Sequence, residues 1–284
     1  MRTAVRFAAA VLAGAMALAG CAITPPRLGD TSPVASPTVV TTDPPGVPMV
    51  AVLVYHPRES NNGLRLGREL RQVPQADPLR GALEVMIQGP IDPDYRSGWS
   101  HETRVLSVTT SGDVTTVDLS ADALRSSKFG SGRALAAIDQ LVWTVTEQTG
   151  ADSLVALTIE GEPPGELWGV TRWDTPRGRE DPLGVRVHVS IDAPAEGEVL
   201  RSPVKIAGES AFADGSVLWV VRDGAGATIA EGRETLTGST PFAPYTVEVD
   251  LLPGTYEIEV TGDAIGDGEG YRPDTDTRTF VVEA

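Results

Sequence analysis

Hydrophobic and polar positions change their spacing along the chain, and the change divides it into two folded segments. Over residues 48–165, strand-like and helix-like stretches alternate. Residues 50–55 are apolar on both faces, which is typical of a central strand in a sheet covered by helices. Residues 66–73 predict a second strand, and Asp77-Pro78 predicts a helix start because aspartate caps helices and proline fits their first turn.

The rest of this segment adds a hairpin, a long helix and a final strand. Strand-like stretches flank Ser111-Gly112-Asp113, a short connection of the kind that joins antiparallel strands. The apolar positions of the long amphipathic helix are Leu135, Ile138, Leu141, Val142 and Val145. Residues 153–159 are again apolar on both faces and predict the closing strand. The predicted order β-β-α-β-β-α-β describes a mixed α/β domain.

From residue 185 onward the apolar positions alternate with a period of two. Residues 185–284 predict about seven short antiparallel strands separated by Gly, Pro and Asp turns, a pattern typical of an immunoglobulin-like β-sandwich. Trp219 is predicted as the central aromatic residue of its core, and His188 is predicted to lie on the polar face of the first strand. The predicted fold class is therefore a two-domain chain, α/β followed by all-β.

An interdomain linker is predicted at residues 166–184, and it carries Trp168 and Trp173. Two interpretations remain open. Large aromatic side chains are seldom left in solvent, so both tryptophans pack against one domain or join the two. Alternatively, they belong to a binding face.

The N-terminal pattern predicts export and lipid anchoring. In residues 1–20, Arg2 and Arg6 precede an apolar run that is shorter than the ~20 residues of a spanning helix. Leu18-Ala19-Gly20-Cys21 closes the run as a lipoprotein processing site, with Cys21 as the attachment point for acyl chains such as palmitate. Residues 21–47 are rich in proline and predict an extended tether. The expected location is the extracytoplasmic side of the cell membrane.

Composition narrows the possible partners. The formal net charge is −16, and cleavage before Cys21 would remove Arg2 and Arg6 and make it more negative. Most of the excess lies in residues 185–284. Such a surface disfavours nucleic acid as a partner. Because Cys21 is the only cysteine, the folded segments form neither a disulfide nor a thiolate metal site.

Candidate catalytic chemistry is sparse, so the sequence predicts no enzyme, no metal site and no cofactor. The three histidines, His56, His101 and His188, fall in different elements. Paired carboxylates are numerous at this net charge and define no glycosidase pair without a cleft. Asp263, Asp267 and Glu269 could offer oxygen ligands to calcium, but their spacing departs from the EF-hand loop, and a solvated turn is the simpler interpretation.

One loop, residues 91–102, carries Tyr95, Trp99 and His101. Exposed aromatic side chains on a loop favour protein or sugar binding. These residues, with Trp168 and Trp173, are the candidate partner-binding positions. The alternative is that Trp99 folds back over the first helix.

The first domain resembles the GerMN domain, the sporulation and germination module named after the spore germination protein GerM. The motifs that carry the resemblance are Val52-Leu53-Val54-Tyr55, Asp77-Pro78-Leu79, Gly89-Pro90, Val117-Asp118-Leu119-Ser120, Ala137-Ile138-Asp139-Gln140-Leu141-Val142 and Leu157-Thr158-Ile159-Glu160-Gly161. The second domain is similar to the immunoglobulin-like domain often found behind GerMN. Its motifs are Ser202-Pro203-Val204, Pro241-Phe242-Ala243-Pro244-Tyr245 and Pro253-Gly254-Thr255-Tyr256.

The resemblance implies an exported, largely non-catalytic lipoprotein of the cell envelope, connected with sporulation, germination or wall assembly. GerMN is similar to ring-building modules of secretion and sporulation complexes, which implies binding to an envelope protein partner. An alternative function is binding of peptidoglycan or another carbohydrate through the aromatic loop.

Overall fold

The computed structural model describes residues 46–125, 131–211, 215–237, 241–262 and 272–284. The predicted signal peptide, Cys21, the tether up to residue 45, and Asp263, Asp267 and Glu269 lie outside the described residues. Within the described ranges, no helix combines the length and hydrophobicity needed to span a bilayer.

The first domain has the predicted order of elements, and both strand and helix boundaries fall close to the predicted ones. Its elements are β1 Met49–Ser60, β2 Gly63–Pro74, α1 Pro78–Gln88, β3 Val105–Ser111, β4 Val114–Leu119, α2 Ser131–Thr149 and β5 Leu154–Ile159. The side chain of Asp77 caps α1 by accepting a hydrogen bond from the Arg80 amide, as its position before proline predicts. A 3₁₀ turn at Ala121–Arg125 follows β4.

The prediction that β1 is a central strand is wrong. Among the strands that the structure describes, β1 pairs with β2 alone, in a two-stranded antiparallel sheet, apart from a single bridge between Arg58 and Tyr95; a separate sheet has the order β3-β4-β5. β4 and β5 run parallel because α2 crosses between them. The apolar character of β1 on both faces has another cause, since α2 packs along it and buries Val54 and Tyr55.

The first hydrophobic core lies between the two helices and the two sheets. α1 contributes Leu83 and Met86, α2 contributes Leu141 and Val145, and all four side chains are fully buried. At about 1.5–3 kcal/mol for each large apolar side chain, burial of this kind stabilises the domain without a disulfide.

The segment predicted as a linker folds onto this core. It forms a small hairpin, β6 Gly165–Leu167 and β7 Thr171–Trp173, which buries Leu167 and Trp173 among the residues of the first domain. Arg177 then pairs with Val155 of β5 through backbone hydrogen bonds of 2.8 Å. The first domain therefore extends well past residue 165.

A short helix, α3 Pro182–Val185, leads into the second domain, an immunoglobulin-like β-sandwich. Its strands are β8 Val189–Ala193, β9 Glu198–Arg201, β10 Val204–Ala211, β11 Ser216–Asp223, β12 Thr228–Thr235, β13 Phe242–Val249, β14 Gly254–Gly262 and β15 Thr275–Glu283. One sheet has the order β13-β10-β8 and the other β12-β11-β14-β15-β9. The predicted fold class is confirmed, and the residues that the structure describes are mostly β.

Aromatic residues other than Trp219 fill the centre of the sandwich. Tyr256 and Phe280 stack with ring centroids 5.9 Å apart, and Tyr245 is buried beside them in the same core. Trp219 is half-buried and packs against the core from its margin, over Gly232. The prediction of a central Trp219 is therefore wrong, because β11 pairs there with the edge strand β12.

Candidate functional site

The two domains meet along a buried polar surface, which we call the domain seam. It joins β1, β2 and the α1–β3 loop (residues 89–104) of the first domain to residues 186–192, Glu209 and β15 of the second. The backbone contributes directly, since the Val187 amide donates to the Leu66 carbonyl at 2.9 Å. Asp274 adds a bridge by accepting from the amides of Asn61 and His188 at 3.2 and 3.0 Å.

Asp276 of β15 lies at the centre of the seam and is fully buried. Its carboxylate accepts from Arg58 at 2.6 Å, from the Ile191 amide at 2.7 Å and from the Tyr95 hydroxyl at 3.2 Å. Arg58 and Tyr95 belong to the first domain, whereas Ile191 belongs to the second. A single buried carboxylate therefore ties both domains together through charged and neutral donors.

Arg278, two residues along β15, is only 2% exposed. Its guanidinium donates to Asp276 at 3.1 Å and to the Tyr95 hydroxyl at 2.9 Å, and it also pairs with Asp92. The same group lies 5.1 Å from the centroid of the Tyr95 ring. Two arginines, Arg58 and Arg278, thus face two carboxylates in a closed network. Such a network is tolerated in an interior because each charge has a partner of opposite sign.

A second cluster of ion pairs on the seam lies next to the first, since Arg278 also donates to the Arg68 carbonyl at 3.4 Å. Arg68 of β2 binds Asp192 through two parallel hydrogen bonds of 2.7 and 2.6 Å and also contacts Glu209 at 2.9 Å. Arg186 pairs with Glu209 as well. Burial, assisted by the charge of Arg68, lowers the pKa of Arg186 to about 10. The bidentate geometry fixes the orientation of the two domains as well as their contact.

The α1–β3 loop reaches the seam because the first domain holds it at several points. Glu69 accepts from the amides of Ile91 and Asp92 at 3.1 and 2.8 Å. Gln140 of α2 accepts from the Gly98 amide at 2.9 Å. Gly67 leaves room for Tyr95, since a Cβ atom there would lie 2.7 Å from the tyrosine ring. The loop is therefore positioned before it contacts the second domain.

The structure corrects the predicted exposed aromatic patch. Tyr95 and Trp99 are buried, because Tyr95 lies in the seam and the Trp99 indole donates to the Ala137 carbonyl of α2 at 3.0 Å. Trp168 packs edge-to-face on Trp99 with ring centroids 5.2 Å apart and is partly buried. Trp173 is buried in the first core. Of the five candidate partner-binding residues only His101 is exposed, so they form no common contact surface.

Sequence reasoning missed the residues that join the domains. Asp276 and Arg278 occupy the inward positions of β15, in register with the buried Phe280 and Val282. Charged residues in the apolar register of a strand were the available signal. His188 was predicted to lie on the polar face of its strand, and the structure shows that this face is buried, because residues 186–190 pack against the first domain on that side.

His56, a side chain capable of acid–base chemistry, is buried in the first domain and has a structural role. His56 is completely buried, and burial together with Arg71 lowers its pKa to about 3, so its ring is neutral. Its Nδ1 lies 3.1 Å from Gln140. Within the residues that the structure describes, no group of three or more His, Cys, Asp and Glu side chains is placed to hold a metal ion.

An open cleft of about 530 Å³ lies on the first domain where the α1–β3 loop passes β1 and α2. Arg58 lines it and also enters the seam, so the cleft and the seam share one wall. The cleft also contains Arg96 and Arg133.

The fold and the seam define a mixed α/β domain joined to an immunoglobulin-like sandwich through buried ion pairs. Residues 53–165 match the Germane family model, described as sporulation and spore germination. Residues 188–269 match the Gmad2 family model, the immunoglobulin-like domain of bacterial spore germination. The chain therefore contains a GerMN domain followed by that immunoglobulin-like domain, as the sequence motifs predicted. Both families are germination-related, and neither is known as an enzyme family.

The solved structures that match the chain share little sequence with it, and their TM-scores are below 0.5. The tandem GerMN domains of the sporulation protein GerM from Bacillus subtilis match with 17% identity and a TM-score of 0.37, over 49% of this chain and 49% of that one. The chain thus spans about half the length of that tandem structure. A putative lipoprotein from Clostridium perfringens matches with 17% identity and a TM-score of 0.34, over 49% of this chain and 93% of that one. The first GerMN domain of the Bacillus subtilis protein matches with 18% identity and a TM-score of 0.35, over 46% and 99% of the two chains. No curated protein sequence matches the chain significantly.

Proposed function

We propose that this germination-related protein is a membrane-anchored, non-catalytic interaction module of the cell envelope. In this function the two domains act as one rigid body that binds an envelope protein partner. The domain seam is the observation that carries the proposal. Its charged groups pair across the two domains. This pairing fixes the orientation of the exposed surface of the first domain relative to that of the second.

Rigid coupling matters for binding because a partner that contacts both domains then has no interdomain motion to arrest. Inter-domain contacts within a chain are often small and polar, and relative motion is the default expectation. Here the polar contacts are buried and bidentate, so the ordering cost is met during folding and not during association.

Anchoring rests on the Leu18-Ala19-Gly20-Cys21 motif and is tested by Cys21→Ala. We expect the wild-type protein to be extracted with the membrane fraction, because two or three acyl chains hold a protein far more firmly than one. The variant should be lost from that fraction. Fractionation and immunoblotting measure the membrane-bound share of the wild type and of the variant. An equal share for the two proteins would contradict lipidation.

Partner binding is tested by crosslinking and capture from detergent-solubilised membranes of the native host. The wild-type chain should recover a defined envelope protein, and Asp276→Asn should recover at least severalfold less. Asp250→Asn, at an exposed position in the second domain, is the matched control and should capture as the wild type does. Recovery of no defined partner under several crosslinking conditions would overturn the proposal.

The alternative function, carbohydrate or peptidoglycan binding, depended on exposed aromatic side chains in the α1–β3 loop. With Tyr95 and Trp99 buried, no surface observation favours it. Sedimentation with purified wall material measures this activity directly.

A further inference from the structure

The cleft beside the seam, which we call the arginine cleft, has the size of a ligand site. Its volume of about 530 Å³ falls within the usual range of roughly 300–1,000 Å³ for such sites. The α1–β3 loop forms one wall, and this loop is anchored by Gln140 at Gly98 and by Glu69 at Asp92. The wall is therefore preformed.

Three of the nine residues that line the cleft are arginines, in a protein whose formal net charge is −16. Arg96 is held in place by the carbonyls of Pro93 and Tyr95, the latter at 2.7 Å. Among the described residues, no carboxylate lies within ion-pair distance of Arg96. The carboxylate nearest to Arg133 in the described part of the chain is Glu59, at 4.0 Å, and both side chains are mostly exposed. These two guanidinium groups retain donors for a carboxylate.

Arg58 supplies a buried polar group to the same cleft. Its Nη1 and Nη2 atoms bind Asp276 and the Thr275 carbonyl at 2.6 and 2.9 Å. Its Nε donor is buried and has no hydrogen-bond partner among the described residues. Buried donors without partners are uncommon in folded proteins. The charge of Arg58 is balanced by Asp276, so what Arg58 adds to the cleft wall is a buried N–H donor without a partner among the described residues.

Acidic groups of the cleft limit which anions it could accept. Glu59 and Asp94 both line it, and Asp94 also accepts from Thr277 at 3.2 Å. A purely anionic ligand would meet these carboxylates and be repelled. A ligand with one ammonium and one carboxylate group would satisfy both signs.

We propose that the arginine cleft binds the termini of a short zwitterionic peptide. The carboxylate of the peptide lies against Arg96, which has no carboxylate within ion-pair distance among the described residues, and its ammonium group lies against Glu59 and Asp94. The volume accommodates a peptide of a few residues with small side chains. This small-ligand site is additional to the protein partner proposed above and does not depend on it.

Calorimetric titration of the full-length protein in detergent tests the site, with three probes of the same length. Trialanine carries both terminal charges, N-acetyl-trialanine lacks the ammonium group, and trialanine amide lacks the carboxylate. We expect trialanine to bind and each blocked probe to bind at least about tenfold more weakly, because each loses a charge-assisted contact.

A variant of the cleft tests where the carboxylate end of the peptide binds. Arg96→Gln should weaken trialanine at least about tenfold and abolish the difference between trialanine and its amide. Arg201→Gln, at an exposed position of β9 in the second domain, should change neither. Absence of trialanine binding at millimolar concentration, or equal binding of all three probes, would overturn the proposal. Capture of the protein partner is measured in a separate experiment. A negative result for the peptide site therefore leaves the proposed protein partner untouched, and the reverse also holds.

Discussion

Asp139 shows at the residue scale how a half-buried carboxylate affects stability. It lies on α2, near enough to Glu180 and Arg177 for their charges to act on its carboxyl group. Burial and the negative charge of Glu180 raise the pKa of Asp139 to about 6, against the opposing effect of Arg177. The folded protein therefore binds a proton between about pH 4 and pH 6 that the unfolded chain does not bind. The contribution of Asp139 to stability is full below pH 4 and is lost as pH rises through 6.

Replacement of this carboxylate should consequently stabilise the protein at neutral pH. We expect Asp139→Asn to raise the free energy of unfolding by about 1–3 kcal/mol at pH 7, and the gain should vanish near pH 4. Urea unfolding at a series of pH values measures the difference. The exposed Asp152→Asn is the control and should stay within about 0.5 kcal/mol of the wild type at each pH. A gain for Asp139→Asn that is equal at both pH values would refute the assignment.

Single residues were also where sequence reasoning reached its limit. The capping role of Asp77 could be predicted because its contacts lie within one helical turn. The role of Asp276 could not, since its partners Arg58 and Tyr95 are 218 and 181 residues away. Burial of Trp99 similarly depends on α2, an element whose distance from the loop the sequence does not encode.

At the scale of elements, α2 takes the place of a neighbouring strand beside β1. The Tyr55 amide donates to the Thr144 hydroxyl at 3.2 Å, and the Leu53 carbonyl accepts from Gln148 at 3.3 Å. These backbone groups point away from β2 and would be unpaired if a plain apolar helix covered them. Polar side chains on the helix thus protect the edge of a two-stranded sheet.

Replacement of one of these polar side chains of α2 should show how much the stability of the protein depends on them. Thr144→Val keeps the shape of the side chain but leaves the buried Tyr55 amide without an acceptor, which should cost about 1–3 kcal/mol of unfolding free energy. Chemical denaturation measures it. Thr109→Val, on the exposed part of β3, is the matched control and should change stability by about 0.5 kcal/mol or less. Equal stability of the two variants would show that α2 does not serve this role.

Element order was predictable and element pairing was not. Periodicity placed α1, α2 and the strands β1 to β5 of the first domain, because each depends on its own apolar face, but it did not predict the hairpin of β6 and β7. Residues 50–55 look like a central strand, yet β1 ends in a two-stranded sheet covered by α2. The apolar pattern of a strand shows that both of its faces are buried. It does not show whether another strand or a helix covers the edge of that strand.

At the scale of the whole molecule, the domain seam decides whether the chain behaves as two domains or one. Removal of one partner from a buried ion pair costs about 3–5 kcal/mol because the other charge stays buried and uncompensated. Asp276 compensates both Arg58 and Arg278. Its loss should therefore weaken the junction between the domains more than it weakens either hydrophobic core.

The domain composition was predictable from motifs, whereas the junction was not. Residues 166–184 were predicted as a linker, and part of that segment instead completes the first domain. Close attachment of the second domain follows from long-range pairs such as Arg68 with Asp192. Spacing along the chain does not reveal such pairs.

Differential scanning calorimetry of the full-length protein in detergent tests most directly whether the two domains are coupled as one body. We predict one cooperative transition for the wild type and for the exposed control Asp250→Asn. Asp276→Asn should give two separated transitions, the first at lower temperature. Two independent transitions in the wild type, or an unchanged single transition in Asp276→Asn, would contradict the account.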